Sequence, residues 1–121
     1  MIKTDIKLSE SEHRLMDVLW EKGSIPAMEL ARICLEKYGW KKSTVYTMLK
    51  RMGQKELLLF ENKMVEALVK RDQANKSEGE SLLYKAYGGS LAELFASFLQ
   101  DRKLTNDEAD RLQKLIEEAK E

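Results

Sequence analysis

The sequence has one cysteine and one histidine, and this scarcity rules out two common kinds of site. Cys34 has no partner for an intrachain disulfide, and its position beside Ile33 in a helical apolar pattern predicts a small buried hydrophobic residue. With His13 as the only histidine, Cys and His side chains cannot assemble an ordinary zinc site. We therefore expect no bound metal and no cofactor.

The chain also lacks a long apolar run and the apolar core of a signal peptide. We therefore expect a cytoplasmic protein without stable membrane association. No cluster of carboxylates accompanies a plausible nucleophile or a glycine-rich phosphate loop, so an enzyme is not expected. A chain of 121 residues can bury one core, in one or two small units.

Net charge is absent as well, because 21 Lys and Arg residues balance 21 Asp and Glu residues. Any attraction to nucleic acid must therefore come from a local patch. Residues 37–55 provide such a patch, since they contain no acidic residue and carry Lys37, Lys41, Lys42, Lys50, Arg51 and Lys55. A merely solvated surface usually mixes both signs, whereas a segment of one sign favours contact with phosphates.

Residues 40–52 within this patch have two chemically different faces at helical spacing. The apolar face consists of Val45, Met48, Leu49 and Met52. The opposite face consists of Ser43, Tyr46, Thr47 and Lys50, all of which form hydrogen bonds. Such a helix can bury one side and lie in a DNA major groove with the other, although an ordinary solvated helix is the alternative.

The DNA-binding residues predicted on this basis lie on that helix, just before it and at the tip of a later turn. Tyr46 is the candidate for sequence specificity, and Lys50 and Arg51 are candidates for phosphate contact. Thr47 could contact a thymine methyl or a phosphate, and Ser43 is at least as good a candidate for the helix N-cap as for base contact. The full set is Lys41, Lys42, Ser43, Thr44, Tyr46, Thr47, Lys50, Arg51 and Lys63.

The elements around this helix predict the fold class. Ser9 and Glu12 have the spacing of a capping box, which opens a first helix that ends at Gly23. A second helix follows Pro26 and ends at Gly39. After the third helix, which Gly53 weakens near its end, residues 57–60 and 64–69 flank a polar turn and predict a β-hairpin. The order predicts a mainly α protein with a small β-hairpin, a winged helix-turn-helix.

The rest of the chain predicts three more helices with large apolar stripes. We therefore divide the chain into a winged-helix domain at residues 1–70 and a helical dimerisation domain at residues 71–121. A symmetric dimer would bury these stripes and match a palindromic operator, whereas packing back onto the first domain is the alternative. The predicted dimerisation residues are Leu91, Leu94, Phe95, Phe98, Leu112, Leu115 and Ile116.

Motifs over nearly the whole chain resemble the penicillinase-repressor family, winged-helix repressors of β-lactamase and methicillin-resistance genes. No single motif is decisive, and the specificity lies in their order and spacing. They are Leu8-Ser9-x-x-Glu12, Asp17-Val18-Leu19-Trp20, Ala27-x-Glu29-Leu30, Ser43-Thr44-Val45-x-Thr47-x-Leu49-x-Arg51, Lys55-Glu56-Leu57-Leu58, Tyr87-Gly88-Gly89 followed by Phe98, and Leu104-Thr105-x-x-Glu108.

The resemblance implies a homodimeric transcriptional repressor bound to an inverted-repeat operator in double-stranded DNA. It also implies a membrane sensor-protease system as an upstream partner, and cleavage at a position matching the bond between Ser97 and Phe98. Family members commonly have Asn where this chain has Ser97. The alternative function is a winged-helix protein-interaction module that no longer binds DNA, suggested by the apolar segment 57–60 and by a wing tip whose only cation is Lys63.

Overall fold

The computed structural model describes residues 6–121. The first five residues of the predicted first domain therefore lie outside the described part of the chain. The elements in chain order are α1 (Glu10–Lys22), β1 (Ile25–Pro26), α2 (Ala27–Tyr38), α3 (Lys42–Gln54), β2 (Leu58–Glu61), β3 (Met64–Ala67), α4 (Arg71–Tyr87), α5 (Leu91–Leu99) and α6 (Asn106–Ala119).

The first helix begins as the capping box predicts. The Ser9 hydroxyl accepts a hydrogen bond from the Glu12 backbone N–H at 3.2 Å, and Glu12 Oε1 accepts one from the Ser9 N–H at 2.9 Å. Two backbone donors that the helix leaves unpaired are thereby satisfied. The predicted ends are also confirmed, because Gly23 and Gly39 are the C-caps of α1 and α2 and both have positive φ.

Three strands form an antiparallel sheet in the order β1-β3-β2. Val65 on the central strand is aligned with Ile25 on one side and with Phe60 on the other. Strand β1 is thus an edge strand of the wing sheet, which the sequence analysis did not predict. Strand β2 has the predicted length but lies one residue later, at Leu58–Glu61, and β3 is shorter than predicted because it ends at Ala67.

The core lies where the three helices meet the sheet. Its largest fully buried side chains are Ile6, Leu15, Met16, Leu19, Leu30, Leu49, Met52, Leu57, Leu58, Val18, Val45 and Val65. The apolar stripe predicted for the third helix is confirmed as the buried face of α3. Three helices, a hairpin and this shared core make the first part of the chain a winged helix. Helix α3 continues through Gly53 to Gln54.

The chain divides into two compact units between Ser81 and Leu82, within α4. Helix α4 begins at Arg71, and the boundary at residue 70 stays a prediction. In the first unit, Ser77 Oγ donates to the Ile6 carbonyl and accepts from the Ile6 N–H, both at 2.9 Å. In the second unit, the hydroxyls of Ser90 and Thr105 cap α5 and α6.

Among the described residues, no helix combines the length and the apolar character needed to cross a bilayer. Within residues 6–121 there is also no group of three His, Cys, Asp or Glu side chains placed to hold a metal ion.

Candidate nucleic-acid interface

The N-terminus of α3 is a basic, uncapped helix end. Helix α3 begins at Lys42, and Lys41 occupies the N-cap with extended backbone and no side-chain capping hydrogen bond. Ser43 therefore lies inside the helix, and the alternative N-cap role suggested from the sequence is wrong. The first turn of α3 contains no acidic residue. Free backbone N–H groups, the helix dipole and two lysines together favour a phosphate at this end.

The polar face of α3 is accessible beside this end. Lys41, Lys42, Ser43, Thr44, Thr47 and Lys50 are exposed, whereas Val45 and Leu49 are fully buried. Thr47 Oγ1 donates to the Ser43 carbonyl at 2.9 Å, so its hydroxyl proton is used within the helix. The Thr47 oxygen keeps acceptor capacity towards a base or water. The helix therefore places cations and short polar groups on one open face.

Tyr46 is less free than its position on that face predicted. Its ring is half-buried and meets the Phe60 ring of β2 edge to face, with centroids 6.0 Å apart. Lys42 Nζ also lies 5.7 Å from the Tyr46 ring centroid. Tyr46 thus contacts both the start of its own helix and the wing, so Phe60 belongs to the site. Sequence reasoning missed Phe60, although an aromatic residue at a strand position next to the predicted interface was a usable signal.

The wing is joined to the start of α2. Asn62 and Lys63 form its two-residue tip and both have positive φ, as a type I′ hairpin turn requires. The Lys63 carbonyl accepts a hydrogen bond from the Ala27 N–H at 2.8 Å. An apolar recess of about 470 Å³ lies between these segments and includes Tyr46 and Phe60 in its lining. The Lys63 side chain is exposed at this edge.

Two of the basic residues near the end of α3 face an acidic group of the same unit. Glu12 Oε2 lies 3.0 Å from Lys55 Nζ and 3.6 Å from Arg51 Nε. Burial of Glu12 would raise the pKa of its carboxyl, but the Ser9 N–H and Lys55 outweigh burial and leave that pKa below its ordinary value. Glu12 is therefore a buried anion, and part of the positive charge that the sequence assigned to DNA is balanced internally.

Helices α5 and α6 of the second unit bury no residue. The predicted dimerisation residues Leu91, Phe95, Phe98, Leu115 and Ile116 are exposed, and Leu94 and Leu112 are partly exposed. The candidate cleavage position lies near the end of α5. There the Tyr87 hydroxyl donates to Ser97 Oγ at 3.2 Å, and the Tyr87 and Phe98 rings meet edge to face at 6.2 Å.

The winged-helix order, the basic face and the unpartnered C-terminal helices agree with the family that the motifs resemble. A family model described as the penicillinase repressor matches residues 8–118. The chain belongs to the penicillinase repressor family. The match covers α1 through almost all of α6, so both compact units are parts of the family architecture.

Named members of the penicillinase repressor family are similar over nearly their full lengths. A penicillinase repressor of Bacillus licheniformis is 27% identical, with 94% of this chain and 92% of that protein covered. A penicillinase repressor of Staphylococcus aureus is 24% identical, with 96% and 95% covered. The methicillin resistance regulatory protein MecI of Mammaliicoccus sciuri is 21% identical, with 91% and 93% covered.

Proposed function

We propose that this protein is a transcriptional repressor of the β-lactam-response type, which binds operator DNA through α3. One observation carries the proposal: the uncapped, acid-free N-terminus of α3 continues into an exposed polar face. Lys41 and Lys42 would neutralise phosphates at the edge of the major groove, and Lys50 would do so further along the helix. Ser43, Thr44 and Thr47 would reach base edges, with Tyr46 positioned by Phe60 as the larger specificity contact.

Dimerisation is the second part of the proposal. Helices α5 and α6 carry large apolar side chains that the chain itself leaves exposed, and such surfaces usually mark an interface. A second copy would cover them through a symmetric contact and would place two α3 helices on two half-sites. Because the second half-site contact is then intramolecular, the dimer gains affinity without any new interaction on either helix.

Release from DNA is the third part. Cleavage between Ser97 and Phe98 would separate α6 and the last residues of α5 from the DNA-binding unit. Much of the apolar surface assigned to the dimer would be lost with them. A membrane sensor-protease system is the upstream partner that family membership supports, and an inducing β-lactam is the corresponding signal.

The decisive experiment is selection of bound fragments from the host genome, followed by an electrophoretic shift assay on a recovered fragment. We expect an inverted repeat, a retarded complex at low salt, and competition by the same fragment but not by a shuffled one. Failure to retard any duplex at low salt would contradict the proposal. Such a failure would favour the protein-interaction module. The apolar segment 57–60 gives that alternative little support, because Leu57 and Leu58 are buried in the core.

A further inference from the structure

Glu12 has a contact that its capping role does not require. Its Oε1 closes the capping box with Ser9, as the sequence predicts. Its Oε2 is turned towards the last turns of α3 and pairs with Lys55 and Arg51. The side chain of Glu12 is 3% exposed, whereas those of Lys55 and Arg51 are 46% and 50% exposed. A buried anion thus lies behind two cations that remain accessible to solvent.

We infer that Glu12 is a positioning residue that holds Arg51 back from DNA phosphates and thereby limits sequence-independent binding. The inference rests on the proposed function. Arg51 and Lys50 are neighbours on α3, but the Arg51 guanidinium is shared with Glu12. A phosphate would have to compete with this carboxylate for Arg51. In addition, a fixed negative charge within 4 Å of the guanidinium repels an approaching phosphate at short range.

Glu12 keeps its charge in this competition although burial by itself would raise the pKa of its carboxyl. The Ser9 N–H and Lys55 hold the pKa of the Glu12 carboxyl below its ordinary value, so the group stays ionised throughout the neutral range. The carboxylate cannot swing into solvent without giving up both the cap and the Lys55 contact. Arg51, by contrast, is half-exposed and its ion pair with Glu12 is long at 3.6 Å. The mobile partner is therefore the arginine.

The test compares Glu12→Gln with the wild-type protein on a labelled duplex of random sequence, by fluorescence anisotropy across a salt series. Gln keeps one acceptor oxygen for the Ser9 N–H, removes the charge and turns an NH2 group instead of Oε2 towards Lys55 and Arg51. We expect tighter binding and a log–log salt slope steeper by about 0.9 for each phosphate gained, which is up to about eightfold in affinity at about 0.1 M salt. Unchanged or weaker binding by a folded Glu12→Gln protein would overturn the inference.

Glu10→Gln is the matched control. Glu10 lies in the same first turn of α1, but its side chain is 81% exposed and pairs with Arg14 of the same helix at 2.8 Å. The substitution changes the net charge by the same amount. We expect its salt slope to match that of the wild type. An equal steepening in Glu10→Gln would show that net charge alone is responsible and would overturn the assignment to Glu12.

Arg51→Gln separates a restraint on Arg51 from a purely structural role of Glu12. In the wild-type background we expect Arg51→Gln to flatten the salt slope clearly less than Lys50→Gln does. In the Glu12→Gln background we expect it to remove the tighter binding and the steeper slope that Glu12→Gln produces. This first comparison needs no Glu12 variant, so it remains decisive even if Glu12→Gln fails to fold. Equal flattening by Arg51→Gln and Lys50→Gln would overturn the inference. If the wild-type protein does not bind duplex DNA at all, that result would instead contradict the proposed function itself.

Discussion

The Tyr46 ring on α3 meets the Phe60 ring on β2 edge to face, with 6.0 Å between the two centroids. The pair joins the helix proposed to read bases to the wing that follows it. Such aromatic pairs contribute about 0.5–1.5 kcal/mol beyond the area they bury. The orientation of the largest polar side chain on the α3 face is therefore set by a residue outside the helix.

Removal of the Phe60 ring is expected to change operator preference without removing any proposed DNA contact. In Phe60→Ala, Tyr46 loses its edge-to-face contact and samples more orientations, so discrimination between the selected operator and single-base variants should fall. Tyr46→Ala should reduce the same discrimination, whereas Tyr46→Phe keeps the ring contact and isolates the hydroxyl. Competition binding with a set of operator variants measures this. Unchanged preference in both alanine variants would contradict the role given to Tyr46.

Lys50→Gln is expected to weaken binding to all DNA sequences by a similar factor. If each subunit neutralises about three phosphates, the wild-type log–log salt slope of a dimer is roughly −5, and removing one neutralised phosphate from each subunit flattens it by about 1.8. Lys22→Gln is the matched control, because Lys22 is an exposed lysine at the end of α1. A salt slope near zero for the wild-type protein would contradict the electrostatic part of the proposal.

Local signals in the sequence predicted the elements of the first unit well. The Ser9 and Glu12 spacing located the start of α1, and Gly23 and Gly39 located the ends of two helices. The apolar stripe of α3 was confirmed as its buried face. These features depend on residues within a few positions of one another, where spacing alone fixes geometry.

Contacts between distant segments were beyond sequence reasoning. Glu12 and Lys55 are 43 positions apart, and no local period indicates that a capping residue also faces the end of α3. The pairing of Ile25 with Val65 was missed for the same reason, since the two residues are far apart in the sequence. Tyr46 was placed on the open face by its spacing, but its burial depends on Phe60 in another element. The sequence also overestimated the positive charge that the basic patch has available, because Glu12 pairs with Arg51 and Lys55.

Charged substitutions on α6 are expected to produce a folded monomer. Leu115 and Ile116 are each 51% exposed within the chain, so Leu115→Asp and Ile116→Asp remove no core contact. Sedimentation velocity should show a dimer for the wild type and monomers for both variants, and operator affinity should fall by about 10²-fold or more as bivalency is lost. Leu35→Asp on α2 is the control, with a similar exposure of 56%. A dimer that persists in both α6 variants would contradict the assigned interface.

Ser97→Asn is expected to accelerate proteolytic release. It places at this position the residue that family members commonly carry, and it replaces the hydroxyl that receives the Tyr87 hydrogen bond. Purified protein is incubated with membranes from β-lactam-treated host cells, and mass spectrometry locates the cut. Tyr87→Phe is the control, since it removes the same hydrogen bond and leaves Ser97 in place. Cleavage elsewhere in the chain, or an intact dimer after cleavage at this bond, would contradict the release mechanism.

Cys34 is expected to be an unreactive thiol that makes the fold sensitive to alkaline pH. It is fully buried on α2, and burial raises the pKa of its thiol to about 11, against a smaller opposite effect of Lys37. Because the folded pKa exceeds the unfolded value, the unfolded chain loses this proton first as pH rises. The contribution of the thiol to stability is therefore complete below the unfolded pKa and falls by about 1.4 kcal/mol per pH unit up to about pH 11. Urea unfolding of the wild type and of Cys34→Ala across this pH range should show the difference between their free energies of unfolding changing with that slope, since the other groups titrate equally in both.

The same burial predicts slow alkylation of the Cys34 thiol. Iodoacetamide at about pH 8 should label the native protein far more slowly than the urea-unfolded chain. Equal labelling rates would show that the thiol is accessible and would contradict the burial on which both expectations depend.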